Sequence, residues 1–404
     1  MQTQGTDVAA DSVPAGSLRE LKARAEAVAA VAATFTNEVD RDARFPAEAF
    51  AEARRQRLLG MMVPRELGGE GSSISNIVDV CYVLGQACAS TGMIFAMHQV
   101  KMGCLVRHRS GSPAMDAVLR RVAGEQLLLA SSTTEGQGGG NVRSSEAPVE
   151  RNGDQISLER KATVISYGAV ADGIVTTARR APDAVASDQV LLVFFKSQYT
   201  LEPMQGWSWN TLGMRGTCSD GFTLRATGTA DNIVPVPYET IHAQTMVPCA
   251  HLMWGAVWAG IAAAATTRAQ SFIRHASRQS NGQIPPGARH FTSGVTSLRL
   301  LRSLLASSLR SYEQALAGEK ALNSLDFQSM ITLTKVEASE LAATTVLHAM
   351  RACGLAGYRN DGEFSIGRHL RDVLSSPIMI NNDRILANIA ASSLLTPLPA
   401  SISG

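Results

Sequence analysis

The sequence is short of aromatic residues, of charge, and of any excess of one sign. Across 404 residues, aromatics make up 5%, charged residues 18%, and the formal net charge is +2. So small an imbalance gives no global electrostatic reason for nucleic acid or an anionic membrane to be a partner. Six cysteines stand at positions 81, 88, 104, 218, 249 and 353. None forms a Cys-x-x-Cys pair and no histidine cluster has zinc spacing, so no metal site is expected. Buried or free thiols in a reducing compartment are the expectation, which points to the cytoplasm. Long hydrophobic runs are also missing. The longest, Gly255 to Ala265, is Ala-rich and reads as a buried core helix; it falls well short of the roughly 20 apolar residues that cross a bilayer. Residues 1–16 are small and polar, without a basic start leading into an apolar stretch. They read as a frayed tail and not as a targeting signal. There is no internal repeat. A dinucleotide-binding fingerprint is nearly spelled by Gly136-Gln137-Gly138-Gly139-Gly140-Asn141, but Asn141 replaces its last glycine and no amphipathic helix follows.

What is present is an apolar content of 45%, in a chain long enough for two or three core-forming units. Residues 17–128 read as helical. Pro46 is placed for the first turn of a helix, and Ser75 to Cys88 and Thr91 to Val106 repeat apolar residues at helical spacing. The character then changes. Leu127–Ala130, Ile156–Leu158, Ala162–Ser166, Gly173–Thr177, Val190–Phe195, Phe222–Leu224 and Asn232–Val236 read as short strands separated by turn residues. Residues 129–240 thus form a β unit. Residues 241–404 return to long helices, the last expected over Pro377 to Leu394.

Inside the β unit, Leu212-Gly213-Met214-Arg215-Gly216-Thr217-Cys218-Ser219-Asp220-Gly221-Phe222 is the most distinctive stretch. With Val63-Pro64-Arg65-Glu66-Leu67-Gly68-Gly69 before it and Arg368-His369-Leu370-Arg371-Asp372 after it, the chain resembles the acyl-CoA dehydrogenase superfamily from about Phe45 to Ile385. The resemblance implies an α+β fold with an N-terminal helical domain, a small central β-barrel or sandwich, and a C-terminal four-helix bundle. It also implies a homodimer or homotetramer binding FAD, or FMN if the protein is one half of a two-component monooxygenase. Thr134, Gly139 and Gly140 would wrap the flavin, where hydroxyl and unhindered amides suit it. Ser166 would meet the flavin N5 edge. Arg278, Arg351 and Gly354 would reach the FAD of a neighbouring subunit, an arginine fork being suited to a diphosphate.

The chain leaves the family pattern at its chemistry. The family's usual base is a glutamate nine residues past the arginine of the Arg-Asp signature, and counting from Arg371 gives Ile380. The alternative position on the first helix of the last domain falls near Trp254. Asp383 is the candidate replacement. Trp254 and Trp258, four apart on one helix face, are expected on the substrate side together with His251. The resemblance favours the first of two reactions and leaves the second as the alternative. One is α,β-dehydrogenation of an acyl thioester on CoA or a carrier protein, passing electrons to an electron-transfer flavoprotein. The other is flavin-dependent monooxygenation of nitrogen, sulfur or carbon, fed by a flavin reductase, with Ser166 and His98 near the flavin.

Overall fold

The structure is a computed structural model and describes residues 15–135 and 143–394. The chain begins with helices α1 (Ala15–Asp42), α2 (Ala47–Arg55), α3 (Ile74–Ala87), α4 (Ala89–His108) and α5 (Pro113–Glu125). Their ends have local causes. Ser73 caps α3 by accepting from the Asn76 amide at 3.3 Å. Ser112 caps α5, where Pro113 takes the first position, and Gln126 closes it in the left-handed region at φ 53°.

Strands β1 (Leu129–Ser132), β2 (Glu150–Asn152), β3 (Gln155–Ala162), β4 (Gly173–Arg179), β5 (Gln189–Phe195), β6 (Tyr199–Pro203) and β7 (Phe222–Thr229) follow. They form two small sheets, ordered β1-β4-β5 and β2-β3-β7-β6. Strand β3 alternates strictly, with Ile156, Leu158, Arg160 and Ala162 buried and their neighbours exposed, the pattern of a strand with one face on a core. Two expected strands did not form. Beyond Ala162 the chain turns at Tyr167, which sits at φ 45°. Around Ile233 only a single bridge to Leu192 is made, because Pro235 and Pro237 have no amide to continue a ladder.

The chain ends in helices α6 (Tyr238–Ile241), α7 (Val247–Gln279), α8 (Ala288–Ala315), α9 (Glu319–Leu322), α10 (Leu325–Cys353), α11 (Leu355–Tyr358), α12 (Gly367–Val373) and α13 (Asn382–Ser393). A π-helical turn, His242–Met246, joins α6 to α7. The continuous stretch Tyr238–Gln279 is long and apolar enough to cross a membrane by length and composition, which the sequence had not suggested; 89% of its most apolar window is buried inside the protein. It is the central core helix. Gly260 lets it approach α3 closely, since a Cβ there would lie 2.5 Å from the Tyr82 carbonyl oxygen.

Two polar joints hold the parts together. At the first, Arg160 is fully buried and donates to Thr177 Oγ1 at 3.0 Å while pairing with Glu135 at 3.3 Å. Glu135 also accepts from the Ser145 hydroxyl at 2.8 Å and the Glu146 amide at 2.6 Å. The clasp therefore fixes both ends of the segment containing Gly139 and Gly140, which lie outside the described residues. Arg160→Leu strands the Glu135 carboxylate and is expected to cost about 3 kcal/mol, read from chemical denaturation.

At the second joint, Asp372 Oδ1 accepts from the Met214 amide at 2.7 Å. Arg371 donates to Asp40 at 2.9 Å and to the Leu212 carbonyl at 3.0 Å. Arg215 donates to the Asp40 carbonyl at 2.7 Å. The Gly-Met-Arg-Gly stretch and the Arg-Asp signature, far apart in sequence, are the two halves of one junction with α1.

Candidate active site

A cavity of about 420 Å³ opens where α4, β1, the π-helical turn, α7, α10 and α13 meet. Helix α4 contributes Met97, Val100 and Lys101, which share a face by their spacing of three and four. Ser131 in β1 and Thr133 and Thr134 just beyond it supply hydroxyls. Helix α7 supplies Ala250, His251 and Trp254, again one face. The π-helical turn brings in His242 and Met246; such turns are frequent at functional sites because they shift a helix's register locally. Ile380, Arg384 and Asn388 close the far wall.

The cavity has no acid. Among the described residues no aspartate or glutamate lines it, and residues 136–142 contain none by sequence. Its ionisable groups are basic. Burial pushes Lys101 down to about 8. Burial, helped by Arg143, His251 and Lys101, pushes His242 down to about 3. Burial takes His251 to about 4. The nitrogen Nδ1 of His251 lies 3.0 Å from the Ile331 carbonyl oxygen. A carbonyl only accepts, so Nδ1 carries the proton and Nε2 keeps its lone pair. His251 is a neutral imidazole with an oriented acceptor nitrogen.

Where the family's glutamate would fall, Ile380 takes a left-handed conformation at φ 51°. A β-branched residue is strained there. Lys335 holds it, donating to the Ile380 carbonyl at 3.4 Å and to Asn382 Oδ1 at 2.7 Å. This turn also explains why the last helix starts at Asn382 and not near Pro377.

Of the residues expected from sequence, Thr134, His251 and Trp254 are brought together in the cavity. The other described ones are not. His98 is enclosed, accepting from the Leu129 amide at 3.0 Å and donating to the Leu59 carbonyl at 2.8 Å; both ring nitrogens tie α4 to its neighbours and neither is left for catalysis. Trp258 is fully buried, with the Lys335 ammonium 5.7 Å from its ring; one turn past Trp254, helix α7 has entered the core. Asp383 is exposed, because the face of α13 that enters the cavity carries Arg384, Ile385, Asn388 and Ile389. Ser166 is buried and takes no part in the cavity wall, accepting from the Ser219 hydroxyl at 2.8 Å, which lies 2.8 Å from that of Thr217. Arg278, Arg351 and Gly354 are exposed near the ends of α7 and α10 and take no part in the cavity.

The sequence reading missed Lys101, His242, Arg143 and Arg384. A signal for Lys101 existed: it is the only lysine, arginine, aspartate or glutamate between Asp79 and Arg107. Among the described residues, no group of three or more His, Cys, Asp or Glu could hold a metal ion. The six cysteines are free.

The buried histidines make the fold sensitive to acid. His98 is held at about 4, like His251, and His242 at about 3. Each binds its proton less tightly folded than unfolded, so its contribution is present above about pH 6.5 and is lost as pH falls toward 4. Each histidine is expected to remove at most about 1.4 kcal/mol per pH unit across that window. Urea denaturation at several pH values between neutrality and pH 5 measures it.

Helices, two small sheets, then helices around such a cavity define an enzyme of the acyl-CoA dehydrogenase fold. Residues 18–125 match the family model "Acyl-CoA dehydrogenase, N-terminal domain". The chain is similar to cyclohex-1-ene-1-carbonyl-CoA dehydrogenase of Geobacter metallireducens, 24% identical over 89% of this chain and 93% of that one. Its fold is that of FMN-bound TdsC of Paenibacillus sp. A11-2, a dibenzothiophene monooxygenase, at a TM-score of 0.81, 18% identity, and coverage of 94% and 98%. Butyryl-CoA dehydrogenase of Megasphaera elsdenii has the same fold, at a TM-score of 0.75, 16% identity, and coverage of 98% and 100%. Residues 18–125 thus carry the family's N-terminal domain and the chain has the acyl-CoA dehydrogenase fold, with Ile380 standing where the family's usual carboxylate base is expected from the sequence.

Proposed function

We propose that the protein is a flavin-dependent monooxygenase acting on a small organic substrate in the cavity. One observation carries the choice of reaction: among the described residues no carboxylate lines the cavity, and Ile380 lines it where the family resemblance would put the base. Abstraction of an α-proton needs a base within hydrogen-bond reach, whereas oxygen transfer does not. The donor set suits a flavin. Ser131, Thr133 and Thr134 offer hydroxyls to a polar ring edge. When bound and reduced, the flavin supplies two electrons so that one atom of O2 passes to the substrate and the other leaves as water.

The chain's own residues have three tasks. Apolar walls from Met97, Val100, Met246 and Ile389 exclude bulk water. Trp254 covers the substrate side. His251 accepts a proton at Nε2, its ring fixed by the Ile331 carbonyl. FAD is the favoured form, held across a homodimer or homotetramer, because Arg278 is exposed and Arg351 and Gly354 are exposed beside Leu355 and Tyr358, two of the most exposed apolar side chains. FMN is the alternative, and a flavin reductase is the implied partner.

Thioester dehydrogenation is the second reading, favoured by the relative that shares 89% of the chain. Two assays separate the readings. Anaerobic titration of the flavin-loaded protein with acyl-CoA and acyl-carrier substrates is expected to leave the flavin absorption unchanged. Reduced flavin with O2 and candidate substrates is expected to place label from isotopic O2 in a product. Bleaching by a thioester would overturn the monooxygenase proposal.

A further inference from the structure

We propose that the substrate of this cavity is an amphipathic organic anion: an apolar or aromatic body carrying one carboxylate or phenolate, its charge met by Lys101 with Arg143 and His242 beside it. The proposal deepens the reading above and rests on it only for the reaction. Its own grounds are geometric.

Lys101 is 4% exposed, yet it lines the cavity. Its hydrogen-bond partner is the sulfur of Met246 at 3.5 Å, a weak acceptor. The titratable groups around it are Cys104 on its own helix, His242 from the π-helical turn, and Tyr238, whose hydroxyl shares the Met246 sulfur; Arg143 from the β domain and His251 from α7 bear on His242. Cys104 is the one that favours its charge, and burial holds that thiol protonated at neutral pH. An ammonium taken out of water without a counter-charge costs several kcal/mol. The protein supplies the charge and leaves its partner to be supplied from outside.

Position reinforces this. His242 is within electrostatic reach of both Lys101 and Arg143, and all three line the same cavity. The indole Nε1 of Trp254, in the same cavity's wall, has no acceptor among the described residues. The remaining lining is largely apolar, including Val100, Val247, Leu325 and Ile389. A cavity of about 420 Å³ with cationic groups and greasy walls selects a molecule of matching build. A phosphate on the flavin itself would satisfy the same charge, and the test must tell the two apart.

The probes are a naphthalene carboxylate and its uncharged carboxamide, titrated calorimetrically into the protein with and without flavin. Wild type is expected to prefer the carboxylate by about tenfold or more. Lys101→Met is expected to erase the preference, and Lys101→Arg to keep it. If Lys101→Met does not fold, wild type still decides: its preference is expected to fade as pH rises above about 8, where the lysine loses its charge. Flavin affinity, and the preference for FMN over riboflavin, are expected to be equal in wild type and Lys101→Met. Equal binding of the two probes by wild type overturns the proposal. So does a fall in the FMN-to-riboflavin preference in Lys101→Met, which would assign the lysine to a flavin phosphate. If the protein takes up no flavin but keeps the carboxylate preference, the monooxygenase reading fails and the anion site stands.

Discussion

Gly213→Ala is expected to lower stability by about 4 kcal/mol, the largest single effect on the fold. A Cβ at this position would lie 2.1 Å from the Arg371 carbonyl oxygen, 2.3 Å from its carbon and 2.6 Å from the Asp372 amide nitrogen. All three are backbone atoms, so no side-chain rotation relieves the clash. Either strand of the contact must move, and moving it stretches the Asp372–Met214 bond and the Arg371 contacts to Asp40 and Leu212. Met214, already at φ 54°, has little freedom to compensate. Leu212→Ala, one residue earlier but 62% exposed, is the control and should stay within about 0.5 kcal/mol of wild type. Similar losses in both variants would sink the argument that backbone contact, and not general loop sensitivity, governs this junction.

The largest effect on turnover is expected at His251. Replacing it with alanine should lower kcat by about 100-fold, the lower end of what a positioned proton-transfer group contributes. His251→Gln keeps a polar group near the Ile331 carbonyl and should recover part of the loss. The pH profile gives a sharper readout. Because burial holds His251 at about 4, its neutral form persists through neutrality and is lost only as pH falls toward 4. The wild-type rate should therefore show no inflection from this residue between pH 5.5 and 8, a range set by the shifted value and the unperturbed one near 6.5. An inflection near 6.5 that vanishes in His251→Gln would mean that the imidazole is solvated and that the oriented Nε2 is not the acting group.

How far the sequence carried this reading depends on phase. The Leu212 to Phe222 stretch and the Arg-Asp signature identified the scaffold correctly, because turn glycines and a buried aspartate are local needs that leave local marks. Trp254, His251 and Thr134 reached the cavity for a similar reason: each follows an uninterrupted helix or strand. The failures lie where the backbone changes period. Asp383 was counted through a helix from Arg371, but α12 stops at Val373 and Ile380 turns left-handed before α13 begins. Trp258 was assigned Trp254's face, yet one turn carries α7 from cavity to core. The π-helical turn at His242–Met246 leaves no mark in a hydrophobic pattern, so His242 and Met246 went unnoticed. His98 was misassigned because its neighbours in space, Leu59 and Leu129, are remote in sequence.

The bond between Arg371 and Asp40 joins residues 331 positions apart. A ribosome adds about 5–20 residues per second, so the end of α1 waits at least about 15 seconds for its partner to be made. The Gly-Met-Arg-Gly turn, 175 residues after Asp40, is made about halfway through that interval, and from then on it and Asp40 are both present without the Arg-Asp helix that later clamps them. The N-terminal helices and the β sheets must therefore hold themselves together on the ribosome by their own cores. The clamp sets last, and it tells a finished chain from one that stopped short: a product truncated before Gly367 has every strand, but leaves the Met214 amide and the Asp40 carboxylate without Asp372 and Arg371 as partners.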